Sequence, residues 1–530
     1  MAQTGVLILR PYRNEIGRLF QSLKACSHYV QRVLYVDFNC ISLFEPDGTV
    51  GGTLCRQEMY SVMEMVYKSK AKELEKLDIR FLLESRRSTS SASATCERRT
   101  FSHNLDVGLL YTSYQNQINV EMLCNRYGFR NIDSLQFLDD NMYSNAGLTD
   151  ELLEQDKEVK EYDTVAVKGT FDRIHNGHRL LLSTSCFLAM SKIVVGVSND
   201  FLLVNKTLLE LIEPLDLRMK NVTEFIEDIK PGLVKDIVPL CDPAGPTKTD
   251  ATIDCLVVSD ESRNSGQVVN ILRKDANLPE VELFSIDLVS NEDVQSSNAS
   301  KLSSTARRYN DLGVLIRPPK RNSSHSVVYV IGLTGGIASG KSSIAKRLEK
   351  LGAQILSADL VGHSVYEPGT EAFNEIIDDF GVGILNKDGF IDRKKLGSIV
   401  FDDSLKLQKL NAIVWPAIMK IIKLWIEEIS KKGDQVCVIE AALLLEAGWD
   451  EVVDEIWVCI IPEVEAIKRL GDRNGLSIDE AKKRLSNQIT NKDRVSQANI
   501  VLSTQWAPEY TQKQVEKAWE GLHKRIKVSR

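Results

Sequence analysis

The stretch Thr170–His178, TFDRIHNGH, places two of the chain's seven histidines three residues apart, on either side of Gly177. The apolar run TVAVKG precedes it and a leucine-rich amphipathic run follows it, so the pair lies where a strand turns into a helix. Three interpretations remain: a packed pair at a helix start, two ligands of a zinc ion, or a phosphate site. No matching set of cysteines or histidines lies nearby, and a helix N-terminus preceded by a glycine-containing turn favours phosphate.

A second phosphate-binding pattern begins at Gly335. The sequence GGIASGKS fits G-x-x-x-x-G-K-[ST], and it lies between the apolar run 327–333 and an amphipathic run, as the pattern requires. In such a loop, backbone N–H groups surround phosphate oxygens, the lysine reaches the β- and γ-phosphates, and the hydroxyl is a ligand of Mg²⁺. The predicted ATP-binding residues are Gly335, Gly336, Ile337, Ala338, Ser339, Gly340, Lys341, Ser342 and Ser343.

Charged residues suited to work beside this loop follow it in the sequence. Asp359 comes directly after the apolar run AQILSA, and Glu440 ends the buried run VCVIE. Either carboxylate could be a base or a metal ligand; the alternative, a surface or capping residue, is less favoured for Asp359 than for Glu440. Arg469 and Arg473 are four residues apart, so one helix face presents both guanidinium groups. This spacing fits a lid over phosphates, or else a solvated basic face.

Short apolar runs alternate with longer amphipathic runs along most of the chain, which predicts an α/β fold with parallel sheets. We expect a Rossmann-like domain over 161–316, a linker over 317–327 and a P-loop kinase-like domain over 328–530. The linker is predicted from its paired prolines and serines, RPPKRNSSHS. Residues 1–160 are predicted to form an α/β region of unknown role, because they contain no recognisable set of chemical groups.

Composition narrows the class of protein. The chain has 530 residues, is 43% hydrophobic and 26% charged, and has a formal net charge of −7, which gives no support for nucleic acid as a main partner. No apolar stretch approaches the ~20 residues of a membrane span. Ten cysteines without a C-x-x-C pair fit reduced thiols. The apolar run Val6–Leu9 is too short for a secretory signal, so we expect a cytoplasmic protein, with association with mitochondria left open.

The C-terminal region resembles dephospho-coenzyme A kinases. The resemblance rests on GLTGGIASGKSS, SADLVGHSVYEPG, DGFIDRKKLGSIVF and AALLLEAGW, which occur in that order. It implies that Asp359 is the catalytic base for the ribose 3′-hydroxyl and that Arg393 binds the acceptor. Arg469 and Arg473 would belong to the lid, Lys341 would be catalytic, and Ser342, with Glu440 as a further candidate, would bind Mg²⁺.

The middle region resembles nucleotidylyltransferases that carry an H-x-G-H motif, and within them phosphopantetheine adenylyltransferases of the eukaryotic type. The resemblance rests on VKGTFDRIHNGHRLLL and, near its end, LSSTARR. It implies that His178, Thr170 and Lys206 are catalytic, and that Arg307 is a less favoured substitute for Arg308. The implied substrate- and nucleotide-binding residues are Gly169, Thr170, Phe171, His175, His178, Ser304, Thr305 and Arg308.

The order of the two regions resembles that of the bifunctional coenzyme A synthases of animals. This implies that ATP and 4′-phosphopantetheine give dephospho-coenzyme A, which ATP then phosphorylates, with Mg²⁺ required in both steps. Two alternatives remain: a nicotinamide mononucleotide adenylyltransferase fused to a riboside kinase, and a nucleotide-sensing scaffold with inactive sites. The implied partners are small molecules, namely ATP, 4′-phosphopantetheine and dephospho-coenzyme A.

Overall fold

The described residues form three parallel sheets flanked by helices. The computed structural model describes residues 1–10, 13–38, 54–69, 74, 76–83, 98–115, 118–129, 132–139, 159–287, 304–320, 328–400, 403–432 and 436–528. Residues 321–327 of the predicted linker lie outside these ranges. The contacts divide the chain into two compact units, Met1–Arg307 and Arg308–Arg530. No helix in the described ranges is long and apolar enough to cross a membrane.

The first sheet of unit 1 has the strand order β3-β2-β1-β4-β5, and all its strands are parallel. Its strands are β1 (Ala2–Ile8), β2 (Val30–Asp37), β3 (Asp78–Leu82), β4 (Val107–Tyr111) and β5 (Leu135–Leu138). Its helices are α1 (Arg13–Cys26), α2 (Arg56–Lys68) and α3 (Val120–Tyr127). The apolar runs YVQRVLYVDF and LDVGLLYTS predict strands where β2 and β4 occur, and the run that begins RQEMYSVMEMVYK predicts a helix where α2 occurs.

The second sheet of unit 1 has the order β10-β9-β6-β7-β8, which is the same topology read from the other edge. Its strands are β6 (Tyr162–Gly169), β7 (Ala189–Ser198), β8 (Val234–Leu240), β9 (Cys255–Ser259) and β10 (Glu282–Ile286). The helices are α4 (Asn176–Leu188), the single turn α5 (Asp200–Leu203), α6 (Leu215–Ile229) and α7 (Arg263–Asp275), and α8 (Ser304–Asp311) begins in unit 1 and ends in unit 2. One hydrophobic cluster extends from Val6 in β1 to Ile286 in β10, so the two sheets share a core.

Unit 2 contains a five-stranded parallel sheet of order β12-β13-β11-β14-β15. Its strands are β11 (Tyr329–Gly335), β12 (Gln354–Ser357), β13 (Val436–Glu440), β14 (Glu455–Ile460) and β15 (Ile500–Ser503). Its helices are α9 (Lys341–Lys350), α10 (Ala358–Ser364), α11 (Glu371–Phe380), α12 (Arg393–Val400), α13 (Ser404–Lys432), α14 (Glu463–Asn474), α15 (Ile478–Ser486), α16 (Asn491–Gln497) and α17 (Pro508–Val528). The predicted α/β class with a P-loop kinase-like part is confirmed.

The segment before β11 packs within unit 2. Leu315 pairs with Ile500 of β15 in antiparallel fashion, and the backbone N–H groups of Gly313 and Ile316 donate to Val501 and Asn499. The contacts therefore divide the chain before Arg308, ahead of the linker predicted at 317–327. The domain boundaries predicted at 160 and at 317–327 stay predictions, since compact units need not coincide with domains.

Candidate active sites

The first candidate site is built by the turn that joins β6 to α4. Gly169 ends β6, and the next residues bend sharply, with φ of 52° at Phe171 and 47° at Arg173. These are uncommon values for residues with a Cβ atom, and such conformations cluster at functional sites. Phe171 is fully buried, and its ring centroid lies 5.3 Å from that of His178. The turn thus holds an aromatic ring against the second histidine.

His175 and His178 stack on each other at the start of α4, with ring centroids 3.9 Å apart and planes inclined by 23°. His175 is the N-cap residue, and its Nδ1 accepts a hydrogen bond of 3.2 Å from the N–H of Gly177. An accepting Nδ1 assigns the proton of neutral His175 to Nε2. The two rings therefore cover the helix N-terminus, the part of a helix that attracts anions.

Both histidines are held neutral near pH 7. Burial, together with the positive charges of Arg307 and Arg179, lowers the pKa of His178 to about 3. Burial and the same two arginines, with His178 itself, lower the pKa of His175 below its ordinary value. These cationic groups repel a further proton, and they create a positive field at the start of α4. Such a field favours a bound phosphate.

The returning segment at Ser304 contacts this turn. Ser304 Oγ donates to the backbone oxygen of Asp172 at 2.9 Å, and Thr305 follows it in the first turn of α8. Arg307, the less favoured of the two predicted arginines, acts on both histidine pKa values, and its Nη1 donates to the oxygen of Ile174 at 3.4 Å. Arg308 is 1% exposed and belongs to unit 2. Arg307 is thus the arginine that the structure brings to the histidine pair.

Thr170 and Lys206 occupy different environments. The backbone oxygen of Thr170 accepts a hydrogen bond of 2.7 Å from Arg218, which also donates to Ser198 at the end of β7. Arg218 is fully buried, so it ties the carboxyl ends of two strands together beneath the turn. The sequence gives no signal for this role, because Arg218 lies in an ordinary charged helix. Lys206 is exposed after α5, and no contact of its side chain with the histidine pair is seen among the described residues.

The second candidate site surrounds the loop between β11 and α9. Gly335 has φ of 155°, and a Cβ atom there would lie 2.3 Å from the backbone oxygen of Cys459, so only glycine fits. Gly336, Ile337, Ala338, Ser339 and Gly340 complete the turn, and Lys341, Ser342 and Ser343 open α9. Lys341 Nζ donates to the oxygens of Gly335 and Gly336 at 2.9 and 3.2 Å. Its ammonium group therefore folds back over the loop.

Two acidic residues accompany this lysine. Ser342 Oγ donates to Glu440 Oε1 at 2.6 Å, and Glu440 ends β13 with its side chain buried. Asp359 is exposed near the start of α10, at the end of β12. Burial lowers the pKa of Lys341, although Cys459, Asp359 and Glu440 act in the opposite direction. The lysine and both carboxylates thus share one electrostatic environment.

The donor chemistry of this site fits Mg²⁺. The Ser342 hydroxyl and the Glu440 carboxylate are hard oxygen donors, which Mg²⁺ prefers. In the described part of the chain, no group of three or more His, Cys, Asp or Glu side chains could hold a metal ion. Two protein oxygens are nevertheless sufficient for Mg²⁺, since it commonly keeps waters and takes phosphate oxygens as further ligands.

The two predicted lid arginines, Arg469 and Arg473, make different contacts. Arg469 on α14 donates to the loop oxygen of Ala338 at 3.2 Å and to Thr504 Oγ1 at 2.8 Å. Arg473 is exposed at the end of the same helix, and its Nε donates to Asn474. Arg393 is exposed at the start of α12, where its guanidinium carbon lies 5.7 Å from the ring centroid of Tyr366. The structure brings Arg469 to the loop and places Arg393 on a separate helix.

Arg494 and Gln488 are loop neighbours that the sequence interpretation missed. Gln488 Oε1 accepts from the N–H of Ile337 at 2.9 Å, and Arg494 Nη1 would lie 3.4 Å from a Cβ atom on Gly336. Arg494 is 2% exposed, and its Nε and Nη2 have no hydrogen-bond partner among the described residues; the nearest carboxylate, Glu446, is 3.8 Å away. A buried guanidinium against a phosphate loop is suited to bind phosphate.

Comparisons with known proteins match two separate regions of the chain. A cytidylyltransferase-like family model matches residues 166–306, and a dephospho-CoA kinase model matches residues 329–507. The dephospho-CoA kinase of Geobacter sulfurreducens is 42% identical over 190 residues, which are 36% of this chain and 96% of that protein. That of Carboxydothermus hydrogenoformans is 43% identical over 189 residues, 36% of this chain and 92% of that protein.

Among solved structures, the dephospho-CoA kinase from Campylobacter jejuni is similar with 26% identity and a TM-score of 0.31, covering 37% of this chain and 98% of that one. Identity above two-fifths across almost the whole length of the kinase relatives indicates common descent for the C-terminal region. The chain therefore belongs to the dephospho-CoA kinase family, and it carries a cytidylyltransferase-like region ahead of its kinase region.

Proposed function

We propose that the chain catalyses two consecutive reactions of coenzyme A synthesis. The first joins 4′-phosphopantetheine to the adenylyl group of ATP and releases diphosphate. The second transfers a phosphoryl group from ATP to the 3′-hydroxyl of dephospho-coenzyme A. The observation that carries the proposal is the phosphate loop with its Ser342–Glu440 pair, in a region 42% identical to a dephospho-CoA kinase.

In the kinase reaction, the loop N–H groups and Lys341 would bind the β- and γ-phosphates and stabilise the charge that develops on them. Asp359 would accept the proton of the attacking hydroxyl, for which its exposure at a strand end is suitable. Ser342 and Glu440 would hold Mg²⁺, which supplies charge neutralisation of the phosphates when it is bound. Arg469 and Arg494 would add positive charge beside the loop, and Arg393 would bind the acceptor.

In the adenylyl transfer, a phosphate oxygen of the acceptor would attack the α-phosphorus of ATP, and the bond to the leaving diphosphate would break. The protein has no covalent step to perform, so its work is alignment and stabilisation of charge. His178 would donate a hydrogen bond to the phosphorane as a neutral imidazole. Arg307 and Ser304 would hold phosphate oxygens from the returning segment, and the turn at Thr170 would place the attacking group.

The substrate of the first reaction separates this proposal from its rivals. We expect the full chain with MgATP to release diphosphate in the presence of 4′-phosphopantetheine and not with nicotinamide mononucleotide, and to convert dephospho-coenzyme A to coenzyme A. Diphosphate release only with nicotinamide mononucleotide would establish the alternative enzyme. ATP binding without turnover of any of these acceptors would establish the scaffold.

Two single substitutions should separate the two activities. His178→Ala should lower adenylyl transfer by about 10²–10³-fold, the usual effect of losing one donor to a transition-state charge, with the kinase rate unchanged. Lys341→Ala should do the reverse, so that dephospho-coenzyme A accumulates. In each variant the other activity controls for the concentration of active chain, and thermal unfolding controls for the folding of the substituted unit. Near-normal diphosphate release by His178→Ala would contradict the role of that histidine.

A further inference from the structure

The N-terminal sheet packs directly against the helix that carries the histidine pair. Arg179 immediately follows His178 in α4, and its Nε lies 2.6 Å from Oδ1 of Asp78, the first residue of β3. Arg179 also donates from Nη1 to Asn176 Oδ1 at 2.7 Å, within the same first turn of α4. Arg179 and Asn176 are both buried. One N-terminal carboxylate therefore contacts the helical turn that holds His175 and His178.

Asp78, which is itself partly exposed, belongs to a row of alternating charges whose other members are buried. Arg80 donates from Nη2 to Asp78 Oδ2 at 2.7 Å, and its Nη1 pairs with Asp228 of α6. Burial alone would raise the pKa of the Asp78 carboxyl, but Arg179 and Arg80 outweigh that effect and hold its pKa below the usual value. Asp78 is therefore ionised at neutral pH. Removal of its charge would leave Arg179 buried without its counter-ion, which is costly.

Other N-terminal groups cover the same helix further along. Tyr67 Oη on α2 lies 3.1 Å from Ser183 Oγ, and the Arg56 guanidinium lies 4.1 Å from the centroid of the Phe187 ring. These contacts follow one another along α4, from its first turn to its last. Helix α4 is thus enclosed between its own sheet and the N-terminal layer.

The N-terminal sheet has the same strand order as the sheet with the histidine pair, but it lacks the pair itself. The sequence between β1 and α1 reads LRPY and contains no histidine. This difference argues against a second adenylyl-transfer site in the N-terminal sheet and leaves its contact with α4 as the feature that bears on the chemistry.

We propose that the N-terminal sheet positions the adenylyl-transfer site, with Asp78 as the positioning residue that fixes the first turn of α4 through Arg179. The inference rests on the proposed adenylyl transfer. A misplacement of about 1 Å can cost ~10²-fold in rate, so a smaller displacement of His178 is enough to matter. Residues 1–160, which carry no recognisable catalytic motif, thereby have a role in the first reaction.

The decisive comparison uses three variants of the full chain. Asp78→Asn removes the charge at constant size, and Asp78→Glu restores it. Tyr35→Phe is the control for loss of another N-terminal contact, because Tyr35 Oη donates at 2.6 Å to Asp228 of α6, at the opposite end of the charge row from Arg179. Asp78→Asn should lower kcat of adenylyl transfer about tenfold and change the KM for ATP less than about twofold, as expected for a displaced donor to the transition state. Asp78→Glu should recover part of the loss, and Tyr35→Phe should keep kcat. The kinase rate of each chain corrects for the concentration of active chain, and urea unfolding of unit 1 serves as the folding control.

A second measurement does not depend on activity. The chain has seven histidines, so the ring signals of His175 and His178 can be assigned in an NMR spectrum by His→Gln variants. Asp78→Asn should shift both ring signals, and Tyr35→Phe should leave them in place. Unchanged ring signals together with unchanged kcat in Asp78→Asn would overturn the proposal, even if the protein melts at a lower temperature.

A third variant covers the case in which Asp78→Asn does not fold. Arg179→Lys keeps the charge opposite Asp78 but loses the second N–H group that donates to Asn176, so kcat should fall, because lysine cannot replace a guanidinium that contacts two groups. An unchanged kcat and unchanged ring signals would again overturn the proposal. If the unsubstituted chain shows no adenylyl transfer, the proposed function fails, and the ring signals alone decide whether Asp78 positions the pair.

Discussion

Asp359 and Glu440 both act on the charge of Lys341, but their surroundings assign them different work. Asp359 is exposed, whereas Glu440 is buried and already accepts a hydrogen bond from the predicted metal ligand Ser342. An accessible carboxylate can take a proton from an incoming hydroxyl. A carboxylate fixed beside the loop hydroxyl is better suited to hold a metal ion.

We therefore predict that Asp359→Asn lowers kinase kcat by about 10²–10⁴-fold, the usual contribution of a proton acceptor, with little change in the KM for MgATP. Glu440→Gln should mainly weaken the dependence of the rate on Mg²⁺, so that more Mg²⁺ is needed for half-maximal rate. Steady-state kinetics with dephospho-coenzyme A at several Mg²⁺ concentrations separates the two effects. The opposite assignment of kcat and Mg²⁺ effects would exchange the two roles.

Arg494 combines burial with an incomplete set of partners, which predicts opposite effects on stability and activity. A buried charge with one distant carboxylate destabilises the protein unless a ligand pairs with it. Arg494→Met should lower kcat/KM for ATP about 10–100-fold, in keeping with the loss of a charge-assisted phosphate contact, and leave the melting temperature equal or higher.

Arg347→Met is the control for this prediction. Arg347 belongs to the same unit and donates to Gln512, so its loss should leave kcat/KM for ATP nearly unchanged. Parallel loss of stability and activity in Arg494→Met would show that Arg494 is structural.

At the scale of single residues, the sequence predicts which segments contain the functional residues. It predicts less well which residue of a segment faces the site. Arg307 and Arg308 are adjacent, and neighbours on a helix point about 100° apart, so the choice depends on the phase of α8. Arg494 and Arg218 lie in ordinary charged helices, and only the packing of those helices aims them at a loop. No spacing in the sequence contains that information.

At the scale of elements, the sequence predicts the strands and helices best. Strand β9 (Cys255–Ser259), for example, occurs where an apolar run predicts it, because a strand covered on both faces is apolar throughout. Helix α2 (Arg56–Lys68) likewise begins where the sequence changes to a helical pattern. Local pattern thus predicts the kind of element.

The two histidines at the start of α4 should make the free energy of unfolding of unit 1 depend on pH. The pKa of both histidines is lowered in the folded chain, so between about pH 6.5 and the lowered values the unfolded chain binds protons that the folded chain does not. Stability should therefore fall as the pH falls from 7 to 5. The upper limit is about 1.4 kcal/mol per pH unit for each histidine.

Replacement of both residues, His175→Gln with His178→Gln, should flatten this dependence, measured by urea unfolding at pH 5, 6 and 7. His28→Gln, which changes an exposed histidine of the same unit, should leave the slope as in the unsubstituted protein. A double variant with the full slope would place the pH sensitivity elsewhere.

At the scale of the whole chain, the local sequence pattern says little about the contacts that define the two units. The sequence change near residue 160 separates two sheets, yet one hydrophobic cluster includes residues of both. Likewise, the prolines and serines of 317–327 predict a linker, while the contacts assign residues from Arg308 onward to unit 2. Contacts between residues far apart in the sequence set the boundaries of the two units. The amino-acid composition indicates only which segments have a backbone that is easily exposed to solvent.

The segment before the linker supports the last prediction. Leu312 is 1% exposed, and Gly313, with φ of 76°, approaches Gln514 so closely that a Cβ atom would lie 2.3 Å from its backbone oxygen. Arg317 donates to the backbone oxygens of Val495 and Ala498 at 2.6 and 2.9 Å. Burial of one leucine contributes ~1.5–3 kcal/mol and each hydrogen bond ~1 kcal/mol, so the segment should stabilise unit 2 by at least about 3 kcal/mol.

We therefore predict that a fragment of residues 308–530 melts about 6–12 °C above a fragment of residues 328–530, since ~1 kcal/mol corresponds to ~2–4 °C for a domain near 200 residues. At 25 °C the longer fragment should phosphorylate dephospho-coenzyme A at the rate of the full chain, because the phosphate loop, Asp359 and Arg494 all lie within it. Differential scanning calorimetry and a coupled ADP assay on both fragments test this. Equal melting temperatures would show that residues 308–320 add no stability, and the contacts of Leu312 and Arg317 would then be energetically neutral.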